Sequence, residues 1–129
     1  MTTAIVCTAL LGLLVFGLGF GVSMTRGRTG TNFGYKPDPA DPMYKWVRAH
    51  GNATEYAPML AVLILLLGAR DPSTWVLWLM WIVTVSRYLH AAGMIFSPSL
   101  DKPHPLRFVG ALGTYLGGIV LCIAVFRLM

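Results

Sequence analysis

Charged side chains are scarce in this chain: Asp, Glu, Lys and Arg make up 12% of its 129 residues, and only five are acidic. Soluble domains carry about 25% charged residues, so this sequence cannot cover a water-facing surface in the usual way. Cysteine is also rare. Cys7 and Cys122 lie far apart in apolar stretches and form no C-x-x-C pair, which argues for inert buried thiols over a redox relay or metal site. The 14 glycines and 8 prolines are too few for a low-complexity chain. No run of Lys and Arg with interleaved aromatics occurs, so the net charge of +5 is not a nucleic-acid footprint. What is abundant is apolar: 56% of residues are hydrophobic and the mean hydropathy is +0.66. These figures exclude a disordered protein, a coiled coil and an ordinary cytosolic enzyme. They imply a small integral membrane protein.

A transmembrane helix needs about 20 apolar residues, so a chain of this length holds at most four. A barrel would alternate apolar and polar residues, whereas Ala61 to Leu67 is apolar throughout. The reading is therefore an all-α, up-and-down bundle of four membrane helices in a single domain, residues 1–129. Its helices fall at about 3–24, 43–67, 74–95 and 106–128. The first 25 residues carry no charged side chain, and Arg26 and Arg28 follow the apolar run instead of preceding it, so the run is a retained span and not a secretory signal. Gly27, Gly30, Gly34, Pro37, Pro39 and Pro42 mark a loop after it. Ser73 is a candidate N-cap for the third helix, whose Trp75, Trp78 and Trp81 suggest an interfacial end. The first and third connections with their flanking turns hold Arg26, Arg28, Lys36, Lys45, Arg48, Lys102 and Arg107, against Arg70 and Arg127 on the other side. That asymmetry places both long connections in the cytoplasm and both termini outside.

Ionisable residues at helix depth cost a few kcal/mol and mark functional sites by default. The second helix opens with Arg48-Ala49-His50-Gly51-Asn52-Ala53-Thr54-Glu55-Tyr56-Ala57-Pro58. At about 100° per residue, Arg48, Asn52 and Glu55 fall within roughly 60° of one another, with Tyr56 at their flank and His50 nearly opposite. Pro58 removes one backbone hydrogen bond just above them. The third helix sets Arg87 and His90 one turn apart, and the fourth opens with Arg107 below a stripe of Gly110, Gly113, Thr114 and Gly117. In an up-and-down bundle these groups meet at one membrane face, where Arg26 can join them. The bland reading is mutual pairing, or snorkelling to headgroups. Against it, three or four arginines meet one carboxylate, and a buried surplus of that sign calls for an anion. A fitting guest carries two or more negative charges and one ammonium for Glu55, and glutathione has both. His50 reads as structural, and Tyr115, Trp46 and Tyr44 as interfacial aromatics.

The run R-A-H-x-N-x-x-E-Y-x-P, Arg48 to Pro58, resembles the helix-two signature of the MAPEG family, membrane-associated proteins of eicosanoid and glutathione metabolism. Arg87-x-x-His90 resembles the family's second basic pair, and Pro105-Leu106-Arg107 the P-x-R opening the last helix of its prostaglandin E synthase members. Met94 stands where several relatives have a tyrosine. The resemblance implies a homotrimer of four-helix subunits with glutathione, as thiol co-substrate, bound between neighbours. It implies that Arg48, Asn52, Glu55, Tyr56, Arg87 and His90 contact the tripeptide and that Arg107, or else Arg26, stabilises its thiolate. No metal is implied. The expected activity is glutathione S-transferase, glutathione peroxidase, or both, on lipophilic electrophiles arriving from the membrane lipids. The alternative is a non-catalytic lipid-binding or scaffold protein on the same fold. A small drug/proton exchanger is disfavoured, because those depend on a mid-membrane carboxylate in the first helix, which here has no charge. Short connections suit a bacterial inner membrane.

Overall fold

The computed structural model describes residues 1–128, folded as four helices: α1 (Thr2–Thr29), α2 (Pro42–Gly68), α3 (Thr74–Ile95) and α4 (Pro105–Phe126). Each boundary has a local cause. α1 continues five residues past its expected end, because Gly27 is tolerated within the helix and nothing stops the chain before Gly30. There the backbone turns left-handed (φ 65°) and the Gly30 N–H closes onto the Arg26 carbonyl. Arg26 and Arg28 thereby sit in the last turn, where cations favour the helix dipole. α2 starts at Pro42 behind Asp41, whose carboxylate accepts from the Tyr44 N–H at 3.0 Å. It runs unbroken through Pro58. α3 does follow Ser73, but that side chain makes no capping bond. α4 begins at Pro105, with His104 at the N-cap position.

α1 packs chiefly on α2 and α3 on α4, while α2 touches both α3 and α4 and α1 reaches α3. The larger apolar cluster lies toward the ends where the termini emerge and joins Leu11, Ile64, Met80, Val83 and Leu121. A smaller one, toward the long connections, joins Leu14, Leu18, Ala49, Ala53, Ala91 and Met94. The α3–α4 contact is close because it is lined with small residues. A Cβ added at Gly110 would stand 2.5 Å from the His90 backbone nitrogen and 2.6 Å from the Ser86 carbonyl, and one at Gly93 would stand 2.6 Å from the Arg107 nitrogen. In the α1–α2 contact, Gly21 lies under the Trp46 ring and Gly19 under His50.

The outer surface is apolar to a degree water would not sustain: Phe16 is 80% exposed, with Phe20, Leu13, Trp78, Ile119 and Phe126 also outside. α1, α2 and α4 are long and apolar enough to cross a membrane. α3 is 22 residues long, and its tryptophans, Arg87 and His90 lower its hydropathy. The protein is an integral membrane protein whose outer face meets lipid. The two long connections lie together: the Leu100 N–H bonds to the Pro39 carbonyl at 3.0 Å, and the Lys45 ammonium to the Ser97 carbonyl at 3.1 Å.

Candidate functional site

Arg87 is the largest fully buried side chain among the described residues, 1% exposed. A guanidinium is always charged, so burial demands partners, and two neighbouring helices supply them. Its Nη2 donates to the Asn52 side-chain oxygen at 2.6 Å and the Asn52 carbonyl at 3.3 Å. Its Nη1 reaches the Thr114 hydroxyl at 3.5 Å, and that hydroxyl itself donates to the Gly110 carbonyl at 2.7 Å. The guanidinium carbon lies 5.1 Å from the centre of the Tyr56 ring, within cation–π range. The Tyr56 hydroxyl lies 3.3 Å from that of Tyr115. Arg87 on α3 therefore ties Asn52 and Tyr56 of α2 to Thr114 of α4, and its Nε alone is buried without a partner.

The remaining expected residues stand apart from this knot. Arg48 and Glu55, one and two turns along the same face of α2, are exposed on the surface of the single chain together with Thr54. His90 is half-buried, and its Nδ1 lies 3.0 Å from the Arg107 carbonyl. A carbonyl only accepts, so Nδ1 carries the proton and Nε2 is the acceptor nitrogen. Arg107 turns its Nη1 to the connection that precedes it, donating to the Leu100 carbonyl at 3.0 Å and the Lys102 carbonyl at 3.1 Å. Arg26 does the same for the first connection, donating to the Thr31 and Gly34 carbonyls, each at 3.2 Å. The structure thus joins Asn52, Tyr56 and Arg87, pairs His90 with the backbone of Arg107, and leaves Arg48, Glu55 and Arg26 separate. Within one chain Asn52 is half-buried, while Arg48 and Glu55 are exposed.

Thr114 and Tyr115 complete the Arg87 knot, although sequence reasoning placed them in a small-residue stripe and among interfacial aromatics. Their only signal was position: both lie two turns past Arg107 on α4, level with Tyr56. Among the described residues no three His, Cys, Asp or Glu side chains gather to hold a metal ion.

A family model, that of the MAPEG family, matches residues 4–127, nearly the entire chain. The chain belongs to the MAPEG family. No curated protein and no solved structure matches it. Membership makes it a membrane protein of the group concerned with glutathione and eicosanoid metabolism, and in this MAPEG protein the family's polar helix-two residues divide between the buried knot and the outer face of α2.

Proposed function

We propose that the protein binds glutathione within the membrane, as a homotrimer. In this reading it acts on lipophilic electrophiles as a glutathione S-transferase, a glutathione peroxidase, or both. The observation that carries this reading is the outward face of α2, where Arg48 and Glu55 are exposed on a helix that crosses hydrocarbon. Charges left there cost several kcal/mol. A neighbouring subunit laid on that face would bury them, and a zwitterionic guest would satisfy them: carboxylates for the guanidiniums, an ammonium for Glu55. Glutathione supplies two carboxylates, one ammonium and a thiol. Asn52 and Tyr56, locked by Arg87, form the rigid floor of such a site, and His90 lies one turn along α3.

A free thiol has a pKa near 8.5, and an adjacent guanidinium lowers it, so more thiolate forms at neutral pH. Arg107 takes this role first and Arg26 second. The thiolate attacks an electrophile or a hydroperoxide, and the protein contributes positioning and charge stabilisation. Calorimetric titration with glutathione tests the site. Arg48→Ala and Glu55→Gln each weaken binding by about tenfold or more, the loss of one charge-assisted contact of roughly 1.5–3 kcal/mol. A wild-type protein that binds no glutathione overturns the reading. Stopped-flow ultraviolet absorbance tests the thiolate: Arg107→Ala gives a smaller thiolate signal than wild type if Arg107 stabilises it.

One observation favours a second reading, a non-catalytic lipid-binding member of the fold. Both Arg107 and Arg26 use Nη1 to hold carbonyls of their own connections. Turnover of 1-chloro-2,4-dinitrobenzene or cumene hydroperoxide decides for catalysis, and its absence with both decides for this alternative.

A further inference from the structure

His104 is a residue that neither the helix-two signature nor the Arg87 knot includes. It stands at the N-cap position of α4, where a side chain ordinarily accepts a backbone N–H, yet it makes no such bond. Its Nδ1 is enclosed and has no hydrogen-bond partner. Buried polar atoms are nearly always satisfied, and an exception asks for a ligand or a function. His104 lines a cavity of about 260 Å³ together with Pro103, His90, Arg107, Phe108 and Ala111. Its lining combines apolar side chains suited to a lipophilic reactant, Pro103, Phe108 and Ala111, with three basic residues, His90, His104 and Arg107.

These three side chains are not equivalent. Arg107 does not release a proton in this pH range. His90 has its Nδ1 proton committed to the Arg107 carbonyl, which leaves Nε2 as a lone-pair acceptor. His104 differs from both: its Nδ1 has no hydrogen-bond partner.

We propose that His104 is the proton donor of this site, protonating the alkoxide that leaves when the glutathione thiolate reduces an organic hydroperoxide. The assignment rests on the glutathione reading given above. The thiolate sulfur attacks the terminal peroxide oxygen, so an S–O bond forms and the O–O bond breaks. Sulfur is oxidised by two electrons to the sulfenic acid, and the alkoxide takes the proton of the His104 imidazolium to leave as an alcohol. A second glutathione then attacks the sulfenic sulfur, giving the disulfide and water. His104 regains its proton from the next thiol that ionises beside Arg107. Conjugation of 1-chloro-2,4-dinitrobenzene expels chloride, which needs no proton.

The other charged or titratable groups lining it are His90 on α3 and Arg107 on α4. On the connection before α4, the Ser99 hydroxyl holds the Asp101 carboxyl below the usual range, so it stays ionised through neutral pH.

The test is cumene hydroperoxide reduction at saturating glutathione, set beside conjugation of 1-chloro-2,4-dinitrobenzene. His104→Gln falls about a hundredfold further in peroxide reduction than in conjugation, the scale of general acid catalysis. Hydroperoxides with more acidic alcohol leaving groups recover part of the loss. On wild-type protein alone, a solvent isotope effect on peroxide reduction that is absent from conjugation carries the same assignment if the variant fails to fold. Equal losses in both reactions, or equal isotope effects, overturn it while leaving the glutathione reading intact. A wild type that binds glutathione nowhere overturns both.

Discussion

Removing Asn52 should damage the fold more than removing Arg87, although Arg87 is the larger and more buried of the two. The guanidinium is 1% exposed, and its shortest bond is the 2.6 Å contact to Asn52 Oδ1. Asn52→Leu deletes that acceptor and leaves a buried cation with only the Asn52 carbonyl at 3.3 Å, Thr114 at 3.5 Å and the Tyr56 ring at 5.1 Å. Breaking a buried charge pair by removing one partner costs about 3–5 kcal/mol in soluble proteins. Interhelical polar bonds in membranes are weaker, averaging about 0.6 and reaching about 1.7 kcal/mol, so we expect about 3 kcal/mol for Asn52→Leu. Arg87→Met removes the charge with the pair and leaves a neutral amide with one lost bond, at about 1–2 kcal/mol. The double variant should cost less than the sum, with a coupling of about 1.5 kcal/mol. The assay is reversible denaturation in mixed detergent micelles followed by tryptophan fluorescence, which the four tryptophans make practical. If Asn52→Leu proves milder than Arg87→Met, or the two losses simply add, Arg87 is not the charge that knits α2, α3 and α4.

Two further outcomes follow from the geometry. Gly110→Ala drives a methyl against the His90 nitrogen and the Ser86 carbonyl, backbone atoms that cannot yield, and should cost about 2–3 kcal/mol in the same assay. Gly12→Ala and Gly17→Ala meet nothing within 4 Å and should be neutral or stabilising by up to about 1 kcal/mol. Ser99→Ala releases the hydroxyl that depresses the Asp101 carboxyl, so carboxyl-carbon NMR should show its titration moving up toward the ordinary value near 3.9. A depressed folded pKa favours the native connection above the unfolded value, and that advantage fades as pH falls through the folded one. Below about pH 4, therefore, wild type and Ser99→Ala converge.

The four helices were legible because apolar runs separated by Pro and Gly are a one-dimensional signal that bilayer thickness reads directly. The end of α1 was not, because Gly27 and Gly30 look alike in sequence and only Gly30 adopts the left-handed turn. Asn52, Tyr56 and Arg87 announced themselves as polar groups in apolar surroundings. Thr114 and Tyr115 did not, since a threonine on a glycine stripe and a tyrosine near an interface each have an ordinary explanation. The partners of Arg26 and Arg107 are backbone carbonyls, which exist at every position and leave no mark on the sequence. The glycine stripe of α4 was informative: Gly113 and Gly117 do press on Ser86 and Val83 of α3.

The hydrogen bond between Leu100 and Pro39 has a practical corollary for topology. Segments stitched backbone to backbone cannot emerge from opposite leaflets, so an even number of crossings between them is enforced by the weave and not merely by counting hydrophobic stretches. A membrane-impermeant thiol reagent on Phe33→Cys, at an exposed position of the first connection, therefore reports the sidedness of the whole molecule.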